Sequence, residues 1–234
     1  MSVSVFWCRN LGSGTVVQRR CLLIGMMATQ FTRADSMIVR LTMICSGATE
    51  ATRRTRFPID EPLEAAAIAR TAGLAHTVDR IDRLWVGPSL RARQTAHALA
   101  ADAIIKEELR DQDFGEWSGQ SAAVIQKAQP ELMTAWRSDP HMALPGGESF
   151  ADVNRRISPL MDELIALRGH TVAVTHAAIV RAAIVHVLGA PLSVFSSIDV
   201  EPLSMADFRS DGQRWMLRGC GITVPKQWPV GDNG

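Results

Sequence analysis

The sequence has almost no net charge: 25 lysines and arginines stand against 24 aspartates and glutamates. That balance removes bulk electrostatic attraction to nucleic acid or to an anionic membrane as an expected mode of binding. Any preference for anions has to come from local placement. Long apolar runs are missing as well. No stretch reaches 18 residues without a charge, so no transmembrane helix is expected. Cysteine is sparse, and Cys8, Cys21, Cys45 and Cys220 lie far apart with no paired metal-type spacing. That pattern gives no metal site and reads as reduced thiols of a cytoplasmic protein.

Enough apolar residues are present, 47% of 234, to bury a full core, so one domain is the expectation. The opening 36 residues differ from the rest. They hold Arg9, Arg19, Arg20 and Arg33, a single acid at Asp35, and no clear periodicity. A signal peptide fits poorly because the apolar "CLLIGMMA" is short and follows the arginines. The expectation is an extension without fixed structure, or residues upstream of a true start at Met37. The domain is then expected over residues 37–225, with a tail at 226–234.

Along that span, short β-branched runs alternate with helical patterns. "MIVRLTMI" (37–44), "RLWVGPS" (83–89) and "HTVAVTH" (170–176) read as strands. "LEAAAIARTAG" reads as a helix stopped by Gly73, and "LRARQTAHALAAD" has Ala92, Ala96, Leu99 and Ala100 at helical spacing. "SFADVNRRISPLMDELIALRG" opens with Ser149 and Asp152 at capping-box spacing, and Pro159 in its middle predicts a kink. "AAIVRAAIVHVLG" is almost wholly apolar, as a helix buried on most sides would be. "PLSMADF" and "RWMLRGCG" are candidates for final strands. Such alternation predicts an α/β protein: a three-layer α/β/α sandwich around a mainly parallel sheet. Ligands of such sheets bind outside the carboxyl ends of the strands. Three of those ends carry polar groups here: Cys45-Ser46-Gly47, Gly87 to Arg91, and Thr175-His176.

Arg91 falls in the first turn of a helix, where a guanidinium adds to unpaired N–H groups and the positive end of the dipole. Alone it also fits a surface arginine on an amphipathic helix. His176 ends a strand and opens a helix, a place where a core histidine with a satisfied hydrogen bond is common too. Asp111 lies in "LRDQDFGEWSG" among aromatics, which suits proton donation if burial raises its pKa; capping a turn is the plainer role.

Four segments together resemble the histidine phosphatase superfamily, also called phosphoglycerate mutase-like proteins. "SLRARQTAHAL" resembles the family's R-A-x-Q-T-A segment, and "LRDQDFGEWSG" its L-x-E-x-x-F-G-x-W-E-G segment. "PGGESFADVNRRI" resembles P-G-G-E-S-x-x-D-V-x-x-R, and "VAVTHAAIVRAAIVHVLG" resembles V-x-V-x-H-G-G-x-I-R-A. The likeness runs from about Met37 to Leu217 and looks more like the compact phosphatase branch than the glycolytic mutases. It implies attack on a phosphoryl group by a strand-end histidine, with arginines and a second histidine holding the phosphoryl oxygens. A glutamate protonates the leaving oxygen, and no metal or other cofactor is required. By this resemblance Arg91 is a phosphate-clamping arginine, His176 the second histidine, and Asp111 the acid, one methylene shorter than usual. Gly47, Ala177 and Arg53 are assigned to phosphate binding, with Arg54 or Arg56 as alternatives to Arg53.

One motif departs from the family. Where it reads R-H-G, this chain has Cys45-Ser46-Gly47, so both the nucleophile and one charge partner are replaced. Ser46 is a weak nucleophile unless a base such as His176 takes its proton. Cys45 is intrinsically more nucleophilic, but the cysteine-phosphatase loop needs an arginine six residues on, where Ala51 stands. The expected function is that of a divergent family member acting on, or binding, a small phosphorylated metabolite. Phosphomonoesterase chemistry would run through Ser46, Asp111 and His176. The alternative is a phosphate-binding or interaction module without turnover.

Overall fold

A computed structural model describes residues 39–100 and 102–223. The expected boundaries at 36 and 225, and the reading of the first 36 residues, lie outside them. The strands are β1 (Val39–Cys45), β2 (Arg83–Val86), β3 (Ile104–Ile105), β4 (Gly169–Thr175), β5 (Ser204–Ser210) and β6 (Trp215–Thr223). The helices are α1 (Glu50–Arg53), α2 (Ala65–Thr71), α3 (Leu74–Thr77), α4 (Leu90–His97), α5 (Ala122–Ala128), α6 (Pro130–Ser138), α7 (Phe150–Leu164) and α8 (Ala177–Leu188). The sheet order is β3-β2-β4-β1-β5-β6. β1 to β4 run parallel, β5 runs antiparallel to β1, and β6 antiparallel to β5. The mainly parallel α/β/α sandwich is therefore the architecture.

Period-two alternation along the central strands makes the two faces. Leu41, Met43 and Ala173 join the α7 and α8 side chains in one core. Ile44, Val172 and Val174 join Leu74, Ala92 and Ala96 in the other. Each fully buried leucine or isoleucine contributes about 1.5–3 kcal/mol, so a one-residue slip of β1 would forfeit several such terms at once. A third cluster of Phe57, Trp117, Ile125, Met133 and Leu144 lies apart from the sheet.

Local chemistry explains most element ends. Ser149 and Asp152 form the expected capping box at the start of α7. Gly189 closes α8 in the left-handed conformation, with φ at 58°. α2 ends at Thr71 with Ala72 as its cap, so the helix closes at Gly73 as expected; that glycine has φ −71° and leads directly into α3. Pro159 lies inside α7, which stays helical from Phe150 to Leu164. Val153, Ile157, Leu160, Met161 and Leu164 bury one face of that helix, and their packing outweighs the backbone bond that proline removes.

This topology positions the site. β2, β4 and β1 are neighbours and parallel, so the residues after Val86, Thr175 and Cys45 emerge at one edge. Ser46 N–H donates to Thr175 O at 2.8 Å and extends the ladder one step beyond β1. Leu109 O is seated between these ends. It accepts from Thr175 Oγ1 at 2.8 Å, and a Cβ on Gly87 would stand only 2.5 Å from it. That close approach requires glycine at 87 and brings the segment carrying Asp111 against the strand ends.

Candidate active site

A cavity of about 650 Å³ opens at these strand ends. Ser46, Gly47, Arg91, Asp111, His176 and Ala177 all line it, so six of the seven residues singled out in the sequence come together. Arg53 does not. Its Nε donates to Glu64 Oε1 at 2.6 Å, and it lines a separate hollow beside Glu50 and Glu61. The one-turn helix α1 points Arg53 toward α2, whereas Arg56 follows a turn at Thr55 (φ 51°) and lines the main cavity.

His176 is the N-cap residue of α8 and is 2% exposed. Its Nε2 lies 3.1 Å from Ser89 Oγ, and its Nδ1 lies 3.4 Å from Ser46 Oγ and 3.7 Å from Asp111 Oδ2. Burial pushes the imidazole down to about 4. Asp111 and Asp60 oppose this and Arg91 and Arg156 add to it, but burial dominates. The ring is therefore neutral at pH 7. In the tautomer protonated at Nε2, Ser89 Oγ accepts and Nδ1 is free to take a proton from Ser46. Ser46 and Asp111 face the same nitrogen, so the three are not a serine-histidine-aspartate triad, in which acid and nucleophile use opposite nitrogens.

Arg91 is 6% exposed and held on both sides. Nη1 donates to Ile59 O at 2.8 Å and Nη2 to Asp111 Oδ2 at 2.5 Å. Asp111 Oδ1 accepts from Gln112 N at 2.9 Å, so each carboxylate oxygen has a donor. Behind this pair, Glu148 accepts from Arg110 at 2.7 and 2.8 Å and from Arg156 at 3.0 Å. Burial alone would raise the Glu148 carboxyl, but these hydrogen bonds and one from Asp113 N hold it below the usual range. Arg156 Nη1 also donates to Glu108 O and Arg110 O, which fixes the backbone leading to Asp111.

Cys45 lines the cavity but is no nucleophile at neutral pH. Burial pushes its thiol up to about 12, with Asp111 adding to the rise against Arg181 and Arg91.

Two further residues complete the site. Arg181, in the second turn of α8, lines the cavity and donates from Nε to Ile198 O at 2.7 Å. Burial lowers its pKa, yet an arginine stays charged at neutral pH. Its signal in the sequence is that it is the one lysine or arginine in an otherwise apolar helix. Ser89 has a signal as the N-cap of α4, accepting from Ala92 N at 3.3 Å, but nothing local points it at His176. The first N–H groups of α8 have no intrahelical acceptor and stand beside the arginines. Among the described residues, no group of histidine, cysteine, aspartate or glutamate could hold a metal ion, and no helix is long and apolar enough to cross a membrane.

Strand ends that gather a buried and a half-buried arginine, a neutral imidazole and a hydroxyl at the start of a helix define an anion-receptive α/β protein. Residues 41–223 match the histidine phosphatase superfamily (branch 1), and the chain belongs to that family. A bifunctional protein of Mycobacterium tuberculosis is 32% identical over 202 residues, covering 78% of this chain and 54% of its own length. The chain thus spans about half the length of the first curated relatives it matches. The glucosyl-3-phosphoglycerate phosphatase of Mycolicibacterium vanbaalenii is 29% identical over 170 residues, 65% of this chain and 76% of that one. A mycobacterial glucosyl-3-phosphoglycerate phosphatase solved with VO3 superposes with a TM-score of 0.73 at 25% identity, over 79% of this chain and 99% of that one.

Proposed function

We propose that this chain binds a small phosphorylated metabolite in the strand-end cavity and hydrolyses its phosphate monoester slowly, without a phosphohistidine. The observation that carries the reading is the meeting of Arg91, Arg181, His176, Ser46 and the start of α8 around one cavity of about 650 Å³. The relatives named as phosphatases of phosphorylated metabolites support the substrate class.

In this reading the phosphoryl oxygens lie against Arg91, Arg181 and the N–H groups of Ala177 and Ala178. Ser46 Oγ attacks phosphorus as its proton passes to neutral His176 Nδ1. The departing alcohol oxygen takes that proton from the imidazolium, directly or by way of Asp111, whose Oδ2 is 3.7 Å from the same nitrogen. Water then hydrolyses the phosphoserine to inorganic phosphate and free Ser46. The 3.4 Å separation of Ser46 Oγ and His176 Nδ1 is long for a hydrogen bond, and no carboxylate orients the ring from Nε2. Loss of a family nucleophile typically costs several orders of magnitude in rate, while oxyanion stabilisation and binding leave a residue of catalysis. Slow turnover is the expectation.

The second reading, a phosphate-binding module without turnover, draws on Asp111 holding Arg91 and on the neutral Cys45. Hydrolysis of 4-nitrophenyl phosphate and calorimetry with inorganic phosphate, on wild type, Ser46→Ala, Ser46→His and Arg91→Ala, separate the two. Slow wild-type turnover that disappears in Ser46→Ala supports serine attack. Turnover that survives Ser46→Ala but not Arg91→Ala makes water the nucleophile. Phosphate binding without wild-type turnover, with a phosphohistidine trapped in Ser46→His, supports the binding module. A wild type that binds no phosphate refutes both.

A further inference from the structure

The cavity has two unlike halves, and the outer one bears on what the phosphate is attached to. Resting on the phosphate-ester reading above, we infer that the alcohol part of the bound ester has a flat, apolar body, an aryl or comparable unsaturated ring. Outside the arginines, Phe114, Trp136 and Phe195 line the cavity half-buried, with Phe57 and Phe150 packed behind them. Large apolar rings left partly open in a concave site are characteristic of ligand pockets.

The wall is built before any ligand arrives. Phe57 sits 5.3 Å from Phe114 and 5.4 Å from Trp136, centroid to centroid, and Trp117 braces Trp136 at 5.8 Å. Across the cavity, Phe150 and Phe195 stack at 4.7 Å with 21° between their planes. Tilted and stacked pairs at these distances hold their rings in place, so little ordering cost falls on binding.

Two polar side chains of the cavity are committed elsewhere, while Arg56 and Arg137 leave their guanidinium groups open to solvent at its rim. Gln112 donates from Nε2 to Glu148 O at 2.9 Å, and Thr52 Oγ1 is engaged with Thr49. A hydroxyl laid flat on the ring faces themselves would give up its water without a replacement. A planar apolar body loses nothing there and covers the open faces of Trp136 and Phe195.

Non-hydrolysable phosphonates test this on the intact chain. Calorimetry compares 1-naphthylmethylphosphonate, 3-hydroxypropylphosphonate, inorganic phosphate and 1-naphthalenemethanol. The naphthyl phosphonate is expected to bind about tenfold or more tighter than the hydroxypropyl one, and to quench tryptophan fluorescence. Trp136→Ala is expected to shrink that ratio about fivefold, and Trp136→Phe to restore most of it. The wild-type ligand series decides the matter even if a variant fails to fold. Equal affinity for the two phosphonates, or preference for the hydroxypropyl one, overturns the inference while phosphate binding keeps the phosphate-ester reading. Naphthalenemethanol binding as tightly as its phosphonate also overturns it. Failure of inorganic phosphate and both phosphonates to bind overturns both readings.

Discussion

His176 offers the sharpest test of the site's electrostatics. Its imidazole is pushed from 6.5 down to about 4 by burial, against the opposing pull of Asp111 and Asp60. The native state therefore binds fewer protons than the unfolded chain between those two values. Stability that is present above pH 6.5 is lost as the pH falls toward 4, and below that the loss is complete. The span from 6.5 to about 4, at 1.36 kcal/mol per pH decade, sets a total of about 3 kcal/mol. Most of that, about 2–3 kcal/mol, is gone by pH 4.5. His170 is lowered by burial too, so wild type alone would overstate the effect. The assay is urea unfolding at pH 7.5 and 4.5 for wild type and His176→Asn, together with an NMR titration of the histidine ring carbons. His176→Asn is expected to lose less stability on acidification than wild type, by about that amount. Saturating inorganic phosphate should raise the His176 titration, because a bound anion favours the imidazolium. A ring that titrates near 6.5 without ligand, or equal acid sensitivity of the two proteins, refutes the buried neutral imidazole on which the serine mechanism depends.

Other perturbations reach other parts of the site. Arg181→Met is expected to weaken inorganic phosphate binding at least about tenfold, the scale of one charge-assisted hydrogen bond; an unchanged Kd by calorimetry would remove Arg181 from the cradle. Gly87→Ala is expected to destabilise the fold by about 1–3 kcal/mol, because its Cβ would stand 2.5 Å from Leu109 O, and an unshifted urea midpoint would contradict that contact. Cys45, with its thiol pushed up to about 12, is expected to resist iodoacetamide at pH 8 under conditions that label exposed Cys220, as read by mass spectrometry. Rapid labelling of Cys45 would show that the strand end is open. Arg56 and Arg137 make no side-chain hydrogen bond or ion pair among the described residues; reversing both to glutamate is expected to slow ligand association most at low salt, in stopped-flow fluorescence.

The parts of the fold legible in the sequence are those set by local chemistry. Period-two and helical spacing, the Ser149 and Asp152 pair and Gly189 each specify their own element with few neighbours. The strand-end convergence was legible for the same reason, since parallel topology alone brings Ser46, Arg91 and His176 to one edge. β3 is two residues long with both isoleucines about half exposed, so it carries no burial pattern to read. The choice among Arg53, Arg54 and Arg56 depended on one positive-φ turn at Thr55, a residue type that rarely takes it. The aromatic wall combines side chains from residues 57, 114, 136, 150 and 195, and no spacing in the sequence links them.

The replacement of an arginine and a histidine by Cys45 and Ser46 changes the charge available to a phosphate more than the shape of its site. Cys45 is neutral, His176 is neutral, and Arg91 is shared with Asp111, so at the strand ends a dianion would meet the half-buried Arg181 and part of Arg91, with Arg56 and Arg137 farther out at the rim. The start of α8 adds about half a positive charge to that. This is enough to hold a phosphoryl group that brings favourable contacts from its alcohol part. It is poorly suited to stabilising the extra charge that develops on the oxygens during transfer, which is where such sites derive most of their acceleration. On the reading proposed above, ground-state binding is expected to survive the two substitutions better than catalysis. A site in that condition depends on the rest of the ligand for affinity, and the preformed aromatic wall beside it is the part of the cavity that can supply it.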